Sequence, residues 1–205
     1  MPSYSTKKRK ATRGHGMLEN FLARLRAAKA ESLITPKHRG GRILDIGCGS
    51  FPYFLAHTKF RERFGIDKMH SARKTITHDG ITLKNQDIER TRRLPFSNGY
   101  FDVVTMLAVF EHIEHDRLVG LLREVRRVLR PGGSFIMTTP AGWTEQLLRF
   151  LSAVKLLSSQ EVDEHKDAYS PVSIARILTD AGFSRDAMRI GYFELGMNIF
   201  VRVAK

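Results

Sequence analysis

The chain of 205 residues has a single cysteine, Cys48. One thiol closes no disulfide framework and supplies too few ligands for a zinc site or a cysteine-held iron–sulfur cluster. No run approaches the roughly 20 uncharged apolar residues that a membrane-spanning helix needs. The first residues lack the apolar core and small-residue cleavage site of a secretory signal, so a reducing, cytoplasmic setting is expected. Acidic residues are scarce: 21 Asp and Glu stand against 34 Lys and Arg, a net charge of +13. Lys7, Lys8, Arg9, Lys10 and Arg13 make residues 1–16 read as a disordered basic tail. Such charge draws nucleic acid, a phospholipid surface or an acidic glycan. It governs association and leaves the chemistry undetermined.

Hydrophobic residues make up 42% of the sequence, enough for one domain with a sizeable core, assigned here to residues 17–205. Leu18, Phe21, Leu22, Leu25 and Ala28 recur at helical spacing between Met17 and Ile34. Short apolar runs then alternate with helical patterns. Strands are predicted over 42–46, 63–67, 81–88, 101–106 and 134–139, with helices over 52–59 and 118–129. Pro131-Gly132-Gly133 reads as the stop of the second helix. A further helix is expected to open at Ser170-Pro171 and run to Ala181-Gly182. Runs at 188–193 and 198–203, separated by a short connection through Gly196, read as an antiparallel hairpin at a sheet edge. The whole pattern implies an α/β fold, a parallel sheet with helices on both faces. The stretch 141–160 reads as an inserted helix, apolar along Leu147, Leu148, Phe150, Leu151 and Val154; a cap over the acceptor pocket is expected first, with dimerisation or a membrane surface as alternatives.

A parallel sheet binds its ligand beyond the carboxyl ends of the strands, where strand order reverses. The first strand ends in Asp45-Ile46-Gly47-Cys48-Gly49. A dinucleotide loop wants a third glycine three residues after the second, and that position is Pro52. Asp45, two residues ahead of Gly47, suits a cationic ligand better than a pyrophosphate. S-adenosylmethionine (SAM) carries an ammonium and a sulfonium and no phosphate. Asp67 follows Gly47 by twenty residues, at the end of the second strand, where a carboxylate accepts hydrogen bonds from both ribose hydroxyls. Asp87 ends the third run and is positioned to accept from an adenine amino group.

With these residues in place, the chain resembles the class I SAM-dependent methyltransferases of the small-molecule type. The likeness runs through Ile43 to Gly49, Leu94-Pro95-Phe96, Phe101 to Val104, Glu111-His112-Ile113 and Leu122 to Gly133, and reaches Asp180-Ala181-Gly182-Phe183. It implies a Rossmann-like, doubly wound, seven-stranded, mostly parallel sheet with a C-terminal antiparallel β-hairpin. It also implies methyl transfer from SAM. Phe51 departs from the family where a third glycine is frequent; it either stacks near the cofactor or packs.

In-line methyl transfer needs alignment and exclusion of water, and a general base only for some acceptors. His112, after the fourth strand, and His165, in the loop that also carries Tyr169, are the candidate catalytic residues on the acceptor side. Glu111, His112, His115 and Asp116 resemble a metal cluster, since i, i+4 spacing in a helix would put His112 and Asp116 on one face. Quinone O-methyltransferases with such a cluster add a glutamate three residues before the Glu-His pair. Here that residue is Ala108, which fits making room for the methionine part of SAM, and no metal is expected. The Asn/Asp-Pro-Pro-Tyr run of base-amine methyltransferases is missing after the fourth strand. The expected acceptor is O or N of a small molecule, a glycan or a lipid precursor. An RNA methyltransferase using the basic surface and tail stays open, as does a non-catalytic SAM-binding protein; a nicotinamide oxidoreductase fits the loop less well.

Overall fold

The computed structural model describes residues 19–69, 74–144 and 169–205. The basic tail, His165 and most of the 141–160 insert lie outside these residues. Along the chain run α1 (Glu19–Leu33), β1 (Arg42–Ile46), α2 (Tyr53–His57), β2 (Glu62–Asp67), β3 (Thr75–His78), β4 (Ile81–Asn85), β5 (Phe101–Leu107), α3 (His115–Val128), β6 (Leu129–Pro140), α4 (Pro171–Asp180), β7 (Met188–Phe193) and β8 (Asn198–Ala204). One sheet of eight strands has the order β3-β4-β2-β1-β5-β6-β8-β7. Strands β4, β2, β1, β5 and β6 are parallel, while β8 is antiparallel to both β6 and β7.

The architecture is the α/β, Rossmann-like one expected, with one strand beyond seven. That strand is β3, paired antiparallel to β4 at the edge. Its source is local: Asp79 (φ 49°) and Gly80 (φ 70°) form a two-residue turn with both residues left-handed. Asp-Gly is a strong short-range hairpin signal for this turn.

Strand alternation divides the core in two. Leu44, Ile46, Val104, Met106, Phe135 and Met137 face α3 and α4, which bring Leu118, Leu122, Val125, Ile174 and Leu178 against them. Ile43, Val103 and Ile136 face the other way, onto Ala27, Ala30 and Leu33 of α1 and Leu55 of α2. The apolar stripe read for α1 is therefore rotated: Phe21 is 56% exposed and Ala28 is exposed, whereas Ala27 and Ala30 are buried. Small side chains at the contact let the helix axis lie close to the sheet.

One helix end also differs from its predicted position. The expected glycine stop of α3 at 131–133 is replaced by an earlier exit, because Leu129 is already extended (φ −69°, ψ 137°) and pairs with Phe101. Gly132 and Gly133 serve the chain terminus instead: Gly132 N–H donates to Lys205 O and Lys205 N–H donates to Gly133 O, each at 3.0 Å. The start of α4 follows its sequence signal. Ser173 N–H donates to Ser170 Oγ (3.2 Å), and Ser170 N–H donates to Ser173 Oγ (2.9 Å). This reciprocal pair satisfies two otherwise orphan donors.

Candidate active site

The carboxyl ends of β1, β2, β4, β5 and β6 share one edge of the sheet, and chain order reverses between β1 and β5. The loop after β1 occupies that crevice. Gly47 N–H donates to Ile66 O of β2 (2.8 Å), so the loop begins by extending the ladder. Gly47 then takes φ +75°, and a Cβ there would stand 2.3 Å from Cγ2 of Val109. Glycine meets both demands, the left-handed backbone and the close approach. Val109 is brought there by Ala108, whose φ of +53° breaks β5 while its N–H still reaches Thr138 O (2.9 Å). Ala108 thus shapes this site through its backbone turn.

Gly49 (φ +71°) donates its N–H to Asp67 Oδ2 at 2.6 Å. This charge-assisted bond fixes both the loop and the carboxylate at the tip of β2, where Asp67 is 9% exposed. On the open side of Gly49 a Cβ would meet nothing nearer than Phe51 N at 3.9 Å, so the backbone is open to an approaching ligand. Phe51 itself is 55% exposed and belongs to no core cluster. Cys48 turns the other way, into the core beneath α1 and α2.

Asp45 is 4% exposed and sits between β2 and β5, in register with Gly65 and Thr105. Thr105 Oγ1 donates to Asp45 Oδ1 (2.6 Å). Burial pushes the Asp45 carboxyl up to about 7, and the nearby Asp67 charge adds to this while the Thr105 bond opposes it. A buried carboxyl of this kind favours a cation beside it, which would return it to its charged form.

Asp45, Gly47, Gly49 and Asp67 therefore lie at the tips of the adjacent strands β1 and β2 and in the loop after β1, with a direct bond between Gly49 and Asp67. Asp87 stands apart from them. Strand β4 ends at Asn85, which leaves Asp87 two residues into the following turn. Its carboxylate meets Lys68 Nζ at 3.2 Å and Arg90 Nε at 3.8 Å, and accepts from Glu89 N–H (3.1 Å). Partial burial works against its charge, but the Lys68 hydrogen bond and charge outweigh it and hold the carboxyl below its ordinary range. Gln86 N–H donates to Asp67 O (2.9 Å), so this turn is nonetheless tied to the β2 tip.

After β5, residues Phe110–His112 form a 3₁₀ turn. Ile113 and Glu114 are extended, so His112 and Asp116 do not share a helix, and the i, i+4 face expected from their spacing does not form. Among the described residues, no group of three or more His, Cys, Asp or Glu converges as metal ligands. His112 is half-buried at the end of the turn. Glu111, absent from the sequence-derived site residues, is 2% exposed and accepts from Thr139 Oγ1 at 3.0 Å. The sequence marks it only within the Glu111-His112-Ile113 run and the cluster that does not form; its bond to β6 has no local signal. Tyr169 is buried with its ring edge-on to Phe110 (4.8 Å).

The crevice holds a buried carboxyl, Asp45, and a second carboxylate, Asp67, fixed by the glycine loop, and similarity to known proteins gives its class. A family model described as a methyltransferase domain matches residues 17–186, and the chain belongs to that family. It is 28% identical over 182 residues to the ubiquinone biosynthesis O-methyltransferase of Aeromonas salmonicida, covering 79% of this chain and 74% of the relative. It is also 26% identical over 181 residues to a ubiquinone/menaquinone biosynthesis C-methyltransferase of Nitrosospira multiformis, covering 78% and 72% respectively. Among solved structures, a SAM-dependent methyltransferase from Archaeoglobus fulgidus aligns with TM-score 0.64 at 18% identity, over 93% of this chain and 95% of that one. One from Mesorhizobium loti aligns with TM-score 0.63 at 18% identity, over 87% and 96%. At these identities the solved structures speak for the fold alone. The protein is a SAM-dependent methyltransferase, an enzyme whose cofactor is S-adenosylmethionine. Among the described residues, no helix is long and apolar enough to cross a membrane.

Proposed function

We propose that the enzyme methylates an oxygen of a small-molecule acceptor, with Asp45, Gly47, Gly49, Asp67 and Ala108 forming the cofactor crevice. The observation that carries the cofactor half is the bond from Gly49 N–H to Asp67, which orients a buried carboxylate at the β2 tip beside the buried Asp45. SAM supplies the methyl group as an electrophile at its sulfonium. Asp67 binds the ribose hydroxyls, Asp45 faces the ammonium, and the turn at Ala108 keeps side chains away from the methionine portion. Asp87, committed to Lys68 and Arg90, acts on the adenine side through its turn. The oxygen assignment draws on the Aeromonas relative, a ubiquinone biosynthesis O-methyltransferase. The Nitrosospira C-methyltransferase shows that membership alone leaves the acceptor atom open.

An oxygen acceptor must lose its proton, and His112 takes it in this reading. His165 and most of residues 141–160 lie outside the described residues and stay what the sequence offered, a candidate acceptor-side residue and a candidate cap. The domain limits proposed from the sequence stay at 17–205, after a basic stretch over 1–16.

The binding half is tested by calorimetry with S-adenosylhomocysteine. A 1:1 complex is expected, and Asp67→Ala should weaken it about 10- to 150-fold, the worth of one to two charge-assisted hydrogen bonds. Unchanged affinity in that variant would remove Asp67 from the site. The acceptor half is tested by labelled-methyl transfer to a panel of phenols, aromatic amines and RNA. Transfer to phenols, with His112→Ala lowering kcat about 10²- to 10⁴-fold at unaltered S-adenosylhomocysteine affinity, is the expected result. Transfer to amines or RNA alone would replace the oxygen assignment.

A further inference from the structure

A second concavity, of about 630 Å³, lies on the α3 side of β2 and β4. Phe64, Phe96 and Tyr100 line it with Pro95, and Lys84 and Arg93 add positive charge. None of Asp45, Gly47, Gly49, Asp67, Asp87 and Ala108 lines it. Alternation along β2 turns Phe64 to the face opposite Asp67, so the groove and the cofactor crevice are separate places on the same strand.

The groove has preformed walls. Arg127 donates to Leu94 O (3.0 Å), Phe96 O (2.8 Å) and Asn98 Oδ1 (2.8 Å), and pairs with Glu124 at 2.7 Å. Glu124 in turn accepts from Leu94 N–H at 2.8 Å. One half-buried ion pair thus fixes the loop from Leu94 to Asn98, and with it the Phe96 ring. The rings are arranged as a platform: Phe96 and Tyr100 lie nearly parallel (19°, 6.2 Å), and Phe64 meets each edge-on at 5.8 Å. Lys84 Nζ stands 5.3 Å from the Phe96 ring centre.

We propose that this groove binds a planar aromatic anion, one flat ring system carrying a carboxylate or phosphate. The rings offer stacking and edge contacts to a flat ligand. Lys84 and Arg93 supply two cations, and among the described residues no carboxylate lines the groove, so its field selects for negative charge and against positive charge. The volume falls within the roughly 300–1,000 Å³ typical of small-molecule sites. An aromatic carboxylate and a nucleotide share this chemistry.

The proposal is independent of the cofactor assignment, and its test keeps the two apart. The full chain, held at saturating S-adenosylhomocysteine, is titrated calorimetrically with AMP and separately with 2-naphthoate. At least one should bind saturably, and stronger binding of one over the other identifies the ligand class as nucleotide or aromatic carboxylate. Adenosine and 2-naphthylmethylammonium, the same rings without the negative charge, should bind at least about tenfold more weakly. Lys84→Glu and Arg93→Glu should each weaken the anion by about tenfold or more while leaving S-adenosylhomocysteine affinity in place. If Lys84→Glu fails to fold, Arg93→Glu, on an exposed loop residue, decides alone. No saturable binding of either anion, equal binding of anion and uncharged or cationic counterpart, or indifference to the charge reversals would overturn the proposal.

Discussion

Replacing Gly47 with alanine is expected to weaken S-adenosylhomocysteine binding by about a hundredfold or more, equivalent to roughly 3 kcal/mol. Two separate effects combine. An alanine at φ +75° carries a left-handed backbone cost of about 1–2 kcal/mol. Its Cβ would also lie 2.3 Å from Val109 Cγ2, a separation that forces the loops after β1 and β5 apart. Those two loops form the crevice, so the displacement falls directly on the ligand. The double variant Gly47→Ala/Val109→Ala separates the causes, since it removes the clash and keeps the backbone cost. Partial recovery, to within about tenfold of the parent, is expected if the clash is the larger share. Affinity in Gly47→Ala within threefold of the parent would show that the loop does not form the site as described.

The reason Gly47 was legible in the sequence, while Val109 was not, is one of range. Gly47 and Gly49 act through backbone geometry beside Asp45, all within five residues, and a strand followed by glycines announces that geometry. Asp67 was legible because it occupies the tip of the next parallel strand, a position the fold repeats. Val109 packs on Gly47 from more than sixty residues away, and Glu111 finds Thr139 across the sheet; neither partnership has a local signature. The edge strand β3 is a different case, because Asp79-Gly80 carried its turn signal in plain sight. The four residues of β3 are mostly exposed, and without an apolar face there was little periodicity to read. In α1 the periodicity pointed to Phe21 and Ala28, but close packing on β5, β6 and β8 selected the narrow alanine face at Ala27 and Ala30. The spacing of His112 and Asp116 misled for a related reason: i, i+4 has meaning only inside a continuous helix, and Ile113 and Glu114 are extended. Asp87, expected to end its strand, lies two residues beyond it in a turn where the local cations Lys68 and Arg90 claim it.

S-adenosylhomocysteine affinity should also depend on pH through Asp45, and Asp45→Asn should abolish that dependence. Burial, helped by the Asp67 charge, raises the carboxyl to about 7 in the free protein. A ligand ammonium beside it favours the ionised form, so binding below that value releases one proton. Affinity should then rise about tenfold per pH unit up to about pH 7 and level off above it, the slope of single-proton linkage. The stability of the free protein moves the other way. The folded value lies above the unfolded value of 3.8, so the contribution of Asp45 is fully present below pH 4 and is lost as pH rises through 7. The loss is at most on the order of 4 kcal/mol between those limits. Saturating ligand should offset that loss, because it binds the charged form of Asp45. Calorimetric affinities from pH 5.5 to 8, with urea unfolding of the free protein over the same range, measure both slopes. A flat affinity profile in the parent enzyme, or an unchanged slope in Asp45→Asn, would place the ligand ammonium away from Asp45. A slope that vanishes only in the variant fixes the buried carboxylate at the strand switch as the group that recognises the positive charge of the cofactor.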